Sequence, residues 1–184
     1  MRLAMFRRHG HRLLANRRGA GAVEFALVAP LFIALMLSIL EAGYYFFINS
    51  AVTEATTKAS RLIRTGQAQN GVTPEDFFDE VCSVVQVFGD CQERLTIDVA
   101  RFDNFTQLAN DLSQITCRDS SDPSISGSQF TSTNYGMRRD IVRVRVCYLH
   151  RPVNPALGLN LQQNADGFRQ MISVAIFRNE PFEN

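Results

Sequence analysis

The chain has 184 residues, 46% of them hydrophobic and 20% charged, proportions of a globular protein that exclude a disordered chain. The formal net charge of +1 conceals an asymmetry: residues 1–18 carry six arginines (Arg2, Arg7, Arg8, Arg12, Arg17, Arg18) and no acid, which leaves −5 on residues 19–184. No nucleic-acid-binding motif or interleaved aromatics accompany these arginines, so they read as the cytoplasmic flank of a membrane segment, with no nucleic-acid partner.

Residues 25–40, FALVAPLFIALMLSIL, hold no charge and lie between Glu24 and Glu41; AGYYFFI extends the apolar character to Ile48. Sixteen helical residues rise about 24 Å, short of a hydrocarbon core of about 30 Å. Including residues 42–48 closes the gap. Glu41 then falls at the outer boundary, with Tyr44 and Tyr45 in the interfacial belt. A cleaved secretory signal is the rival, but the run is long and no small-x-small site ends it. A buried core helix fits the arginine flank poorly. The expected transmembrane half is therefore 20–48, with residues 1–19 as a basic cytoplasmic leader.

Beyond the span, Ile48, Val52, Ala55, Ala59 and Leu62 form a narrow apolar stripe at helical period. Glu54 and Lys58 are a favourable i,i+4 pair, and Gly66 is a C-terminal stop behind Arg61 and Arg64. The reading is one helix from about Ala20 to Thr65, about 70 Å long. Its amphipathic periplasmic half is 49–66. Pro30 removes a backbone donor from the first half and should kink or loosen it.

Residues 67–184 read as a small α+β head. Thr73-Pro74-Glu75-Asp76 starts a helix that turns Phe77, Val81, Val84, Val85 and Phe88 inward and ends at Gly89. Residues 94–102 alternate as a half-buried strand, and 103–112 read as a short helix. Residues 118–137 are a polar surface loop. Residues 139–149 alternate Val142, Val144, Val146 and Tyr148 against Arg143, Arg145 and Cys147. Residues 152–165 connect to a last strand over 169–177. The fold class is α+β: a long N-terminal helix, a short helix, and an antiparallel sheet of about three strands.

The four cysteines, Cys82, Cys91, Cys117 and Cys147, all follow the apolar segment. An even number on an exported side reads as two disulfides, against the alternative of four buried thiols. Of three possible pairings we expect Cys82–Cys91, closing a helix end onto the next turn, and Cys117–Cys147, tying the preceding segment to a central strand. Without a CxxC pair or a close histidine, zinc is disfavoured, and His150 reads as a strand-end side chain. Asp119 and Asp122 form at most a weak calcium motif. No P-loop, GxSxG or HExxH is present. We therefore expect no enzyme, no catalytic residue, no metal and no cofactor.

Arg17-Arg18-Gly19-Ala20-Gly21-Ala22-Val23-Glu24-Phe25 resembles the processing site of type IV prepilins, in which a basic leader is cut after glycine and glutamate is fifth in the mature chain. A cut after Gly19 makes Ala20 first and Glu24 fifth. GAGAVEFALVAPLFIALMLSILEAGYYFF, the ATTKASRLIRTG segment, Asp90-Cys91 and the terminal FRNEPF further resemble the TadE-like proteins of tight-adherence (Tad/Flp) pilus systems. The resemblance implies a pseudopilin or minor pilin matured by a prepilin peptidase. It also implies assembly with other Tad pilins, minor pilins and an inner-membrane assembly platform, the head being periplasmic. Phe25, where major subunits carry tyrosine, and the chain's length point to a minor role. For Glu24 two readings stand: pairing with the α-amine of a neighbour's Ala20 during assembly, or an interfacial acid favouring the helix N-terminus. The alternative function is an uncleaved, membrane-anchored periplasmic binding or sensing module.

Overall fold

The computed structural model describes residues 19–89, 91–118, 124–153, 162 and 167–182. The arginine leader before Gly19, Asp90, the Asp119/Asp122 pair and most of the 152–165 connection lie outside these residues.

Helix α1 (Ala20–Arg64) is a single 45-residue helix, about 68 Å long. It runs unbroken through Pro30 and carries Arg61 and Arg64 in its last turn, where the dipole favours cations. The chain leaves it at Gly66 with φ +80°. A Cβ there would stand 2.6 Å from Cγ of Phe182, so glycine meets both the left-handed backbone and the seating of that ring. The C-terminal segment closes the same end, with the Glu180 amide donating to the Arg64 carbonyl at 3.0 Å.

Helix α2 (Pro74–Val85) starts as the sequence predicts: the Thr73 hydroxyl accepts from the Asp76 amide, and Pro74 stands at the first position. A 3-10 turn (Gln86–Phe88) continues it to Gly89. A short helix α3 (Cys91–Arg94) leads into β1 (Leu95–Phe102), followed by α4 (Phe105–Asn110), β2 (Ile141–His150) and β3 (Arg169–Arg178). The sheet is antiparallel in the order β1-β2-β3. Val142, Val144, Val146 and Tyr148 of β2 stand opposite Phe177, Ala175, Ser173 and Met171 of β3.

One core joins these elements. Ile48, Val52, Ala55, Ala59 and Ile63 of α1 pack with Phe77, Val81 and Val85 of α2, with Leu95, Ile97 and Val99 of β1, and with the inward row of β2. Each large side chain fully buried contributes about 1.5–3 kcal/mol. The small Ala55 and Ala59 stand at the centre of the helix face. The buried stripe reaches Ile63 and Thr56, with Leu62 only half-buried. This corrects the stripe read through Leu62. α1 is pressed by α2 as well as by the sheet, so its buried face is about 100° wide, wider than a two-element seam.

Lys58 pairs with Glu80 of α2 at 2.8 Å, not with Glu54 as expected. Both partners are partly exposed, so the pair adds little stability. A third correction concerns 118–137. Its described part is no free surface loop. The Ile97 amide donates to the Gly127 carbonyl at 2.8 Å and the Gln129 amide to the Ile97 carbonyl at 2.9 Å. Phe130 and Tyr135 both pack on Phe77, with ring centroids 5.6 and 5.3 Å away. The segment thus straps the free edge of β1 and fills the core.

The outer face of the sheet is covered over β1 and β2, in part by polar contacts. Asp98 of β1 accepts from Nε and an NH2 of Arg145, both at 2.7 Å, and Asp111 accepts from Arg143 at 2.8 Å. The Ser113 amide donates to Asp111 and holds its carboxyl below the usual range, helped by the Ser113 hydroxyl and by Arg143. Residues 111–118 lie across this face, the Arg118 amide donating to the Thr96 hydroxyl at 2.7 Å. All ten residues of β2 are buried as a result. On β3 the outward Ile172, Val174 and Ile176 stay about half exposed.

Candidate functional site

Two regions of α1 carry the residues singled out from sequence. At the N-terminal end Gly19 stands immediately before the helix, Ala20 is its first residue, and Glu24 lies one turn further in. All three are exposed. The turn from Ala20 to Glu24 presents the carboxylate on the same side of the helix as its amino end.

From Val23 to Leu40 the helix is bare. Phe25, Leu27, Leu31, Phe32, Leu35, Ile39 and Leu40 are exposed, and the apolar window, with mean hydropathy 2.4, has none of its length buried within the protein. By length and composition this one helix suffices to cross a membrane. An apolar surface of this extent in water would be an aggregation site, whereas in lipid it is the expected exterior.

The second region begins at Glu41. Expected as an interfacial acid, it is instead buried against the head. Its Oε1 accepts from the Val153 amide at 3.1 Å and lies 3.9 Å from Nε2 of His150. His150, the last residue of β2, is buried too, and its Nε2 has no hydrogen-bond partner among the described residues. The Tyr44 ring meets the imidazole edge-on with centroids 5.5 Å apart. Burial holds His150 below its ordinary pKa, Glu41 drawing it up and Arg94 pushing it further down. Around this pair Phe88 packs on Tyr44 and Phe47, and the Arg169 guanidinium lies 4.8 Å over the Tyr45 ring. The head therefore grips α1 from Glu41 onward. Sequence reasoning passed over the partnership of Glu41 and His150. Its signal is the lone charge between Glu24 and Glu54, and a histidine ending an alternating strand.

The cysteines are joined Cys82–Cys91 and Cys117–Cys147, each with Cα atoms 5.7 Å apart and within ordinary disulfide reach. The first ties α2 to α3 and the second ties the 111–118 segment to β2. Among the described residues no group of three or more His, Cys, Asp or Glu is arranged to hold a metal ion.

These features define a class: a disulfide-bearing α+β head carried on one end of a helix whose other end is bare and apolar. Residues 19–61 match the family model described as TadE-like protein, the family that the same stretch resembles by its motifs. The matched segment starts at Gly19, takes in Glu24 and the bare helix, and ends at Arg61, before the head. It points to a Tad pilus-associated protein. No curated protein and no solved structure matches the chain.

Proposed function

We propose that the chain is a non-enzymatic pilin-like subunit, a minor pilin or pseudopilin, for assembly of a Tad-type adherence pilus. It is cut between Gly19 and Ala20 by a prepilin peptidase and stored in the bacterial inner membrane. The N-terminal side is cytoplasmic and the head periplasmic. The observation that carries this reading is the TadE-like match over residues 19–61, coincident with a helix that is bare where lipid or neighbouring helices would cover it. The arginine flank supports the orientation, and the two disulfides are chemistry of an oxidising compartment.

In this role the apolar half of α1 serves twice. It holds the subunit in the bilayer, and in a helical bundle with other Tad pilins it supplies packing surface. Glu24 pairs there with the new α-amine of a neighbour's Ala20, which offsets the cost of a carboxylate in an apolar setting. The assembly platform of the inner membrane and the companion minor pilins are the remaining partners. Deleting the gene tests the reading: cells should lose surface pili in electron micrographs and regain them with the wild-type copy. Unchanged pili in the deletion strain would contradict it.

A further inference from the structure

The bare apolar stretch of α1 and the first contact of the head adjoin directly. Between Phe25 and Ile48 the single charged residue is Glu41, and Glu41 is where the head closes on the helix. No polar helical spacer separates the two. Residues 25–40 rise about 24 Å, less than a hydrocarbon core of about 30 Å. A bilayer filling the bare stretch thus reaches the level at which the head begins.

Several of the exposed side chains at that end of the head are apolar. Phe46 and Phe47 are 69% and 65% exposed on α1, beside the half-buried Phe88. Val87, in the 3-10 turn after α2, is 85% exposed, and Val153, whose amide is bonded to Glu41, is 74% exposed. Arg151 stands exposed beside Val153. The strand directions fix which end this is. β2 runs from Ile141 down to His150 at Glu41, and β1 and β3 run away from that level toward Phe102 and Arg178.

We infer that the head rests on the outer membrane–water boundary through a footing made by Phe46, Phe47, Val87 and Val153, with Arg151 facing lipid phosphates. The occupant is lipid because the footing continues the bare helix without interruption. It joins apolar side chains to an arginine, the composition that suits the headgroup boundary. The footing holds Glu41 and His150 under the head and away from lipid. This inference rests on the membrane reading of α1, and its test separates the two.

The protein has no tryptophan, so single introduced tryptophans report without background. Full-length Val87→Trp and Val153→Trp proteins would be reconstituted in vesicles of phosphatidylcholine and phosphatidylglycerol. Some vesicles would carry lipid brominated near the headgroup, others lipid brominated deep in the chain. Phe32→Trp serves as the mid-span reporter and Phe105→Trp as the reporter at the far end of the head. The expected result is blue-shifted emission with strong quenching at Val87→Trp and Val153→Trp by the shallow bromines. Phe32→Trp should be quenched by the deep bromines and Phe105→Trp by neither. If Phe32→Trp is quenched while Val87→Trp and Val153→Trp are not, the span stands and the footing is overturned. The footing is likewise overturned if both are blue-shifted without quenching, a sign of protein contact, or if Phe105→Trp is quenched equally. An unquenched Phe32→Trp overturns the membrane reading and the footing together.

Discussion

Glu24 and Glu41 lie in one apolar helix and meet different surroundings. Glu41 is held inside the protein by the Val153 amide and faces His150. Glu24 is exposed one turn into α1, where a carboxylate in lipid costs up to about 2.5–3.5 kcal/mol at a helix centre and less toward the edge. If a neighbour's amine meets it during assembly, Glu24→Ala and Glu24→Gln should both insert and be cut after Gly19, yet give few or no pili. Pilus counts beside immunoblots of the processed subunit check this; normal piliation with either variant means an interfacial acid. His150 gives a prediction in pH. Its folded pKa is depressed by burial, so the unfolded chain binds the proton more readily. Its contribution is intact above the ordinary histidine value of about 6.5 and is lost as pH falls from there through the folded pKa. Melting temperatures of the detergent-solubilised protein should decline over that window, and less so in His150→Phe. Parallel pH profiles would contradict the assignment. Spacing along one helix reveals the lipid boundary, and so predicts an interfacial Glu41, but not a strand end arriving from more than a hundred residues away.

At the scale of elements, the disulfides differ in what they close. Cys82–Cys91 spans 9 residues and Cys117–Cys147 spans 30. Loop-closure entropy assigns the longer loop about 1 kcal/mol more stabilisation, within typical values of about 2–4 kcal/mol per bridge. Replacing Cys117 and Cys147 together by serine should therefore lower the unfolding free energy more than replacing Cys82 and Cys91, as read by chemical denaturation. Equal losses would show that strain or residual structure dominates. The elements themselves were largely legible. The Thr73-Pro74 start of α2, the stop at Gly66 and the alternating strands follow from local rules that need no knowledge of tertiary contacts. What escaped depends on partners distant in sequence. Lys58 chose Glu80 because α2 lies alongside α1. Ile63 turned inward because two elements press on the helix. The polar composition of 118–137 predicts a surface loop, while two aromatic anchors and two backbone bonds to Ile97 determine the path of its described part from 124 on.

For the whole molecule, the arrangement is a head fixed at one end of a long helix and a bare apolar surface at the other. The proposed direction across the membrane rests on the six arginines before Gly19. A reporter active only in the periplasm, fused after Asn184, should work, and a fusion active only in the cytoplasm would invert the topology. The Gly19-to-Glu24 spacing was legible from sequence because it is a local motif, and the TadE-like match covers that motif with the helix behind it. The central claim is that the chain is a pilin-like subunit matured at this motif. Mass spectrometry of the intact protein from the membrane fraction of cells that contain the peptidase tests it most directly. The account predicts a mature chain that begins at Ala20 and has lost residues 1–19. A mature chain that still begins at Met1 in those cells would contradict it and favour a permanently anchored periplasmic module.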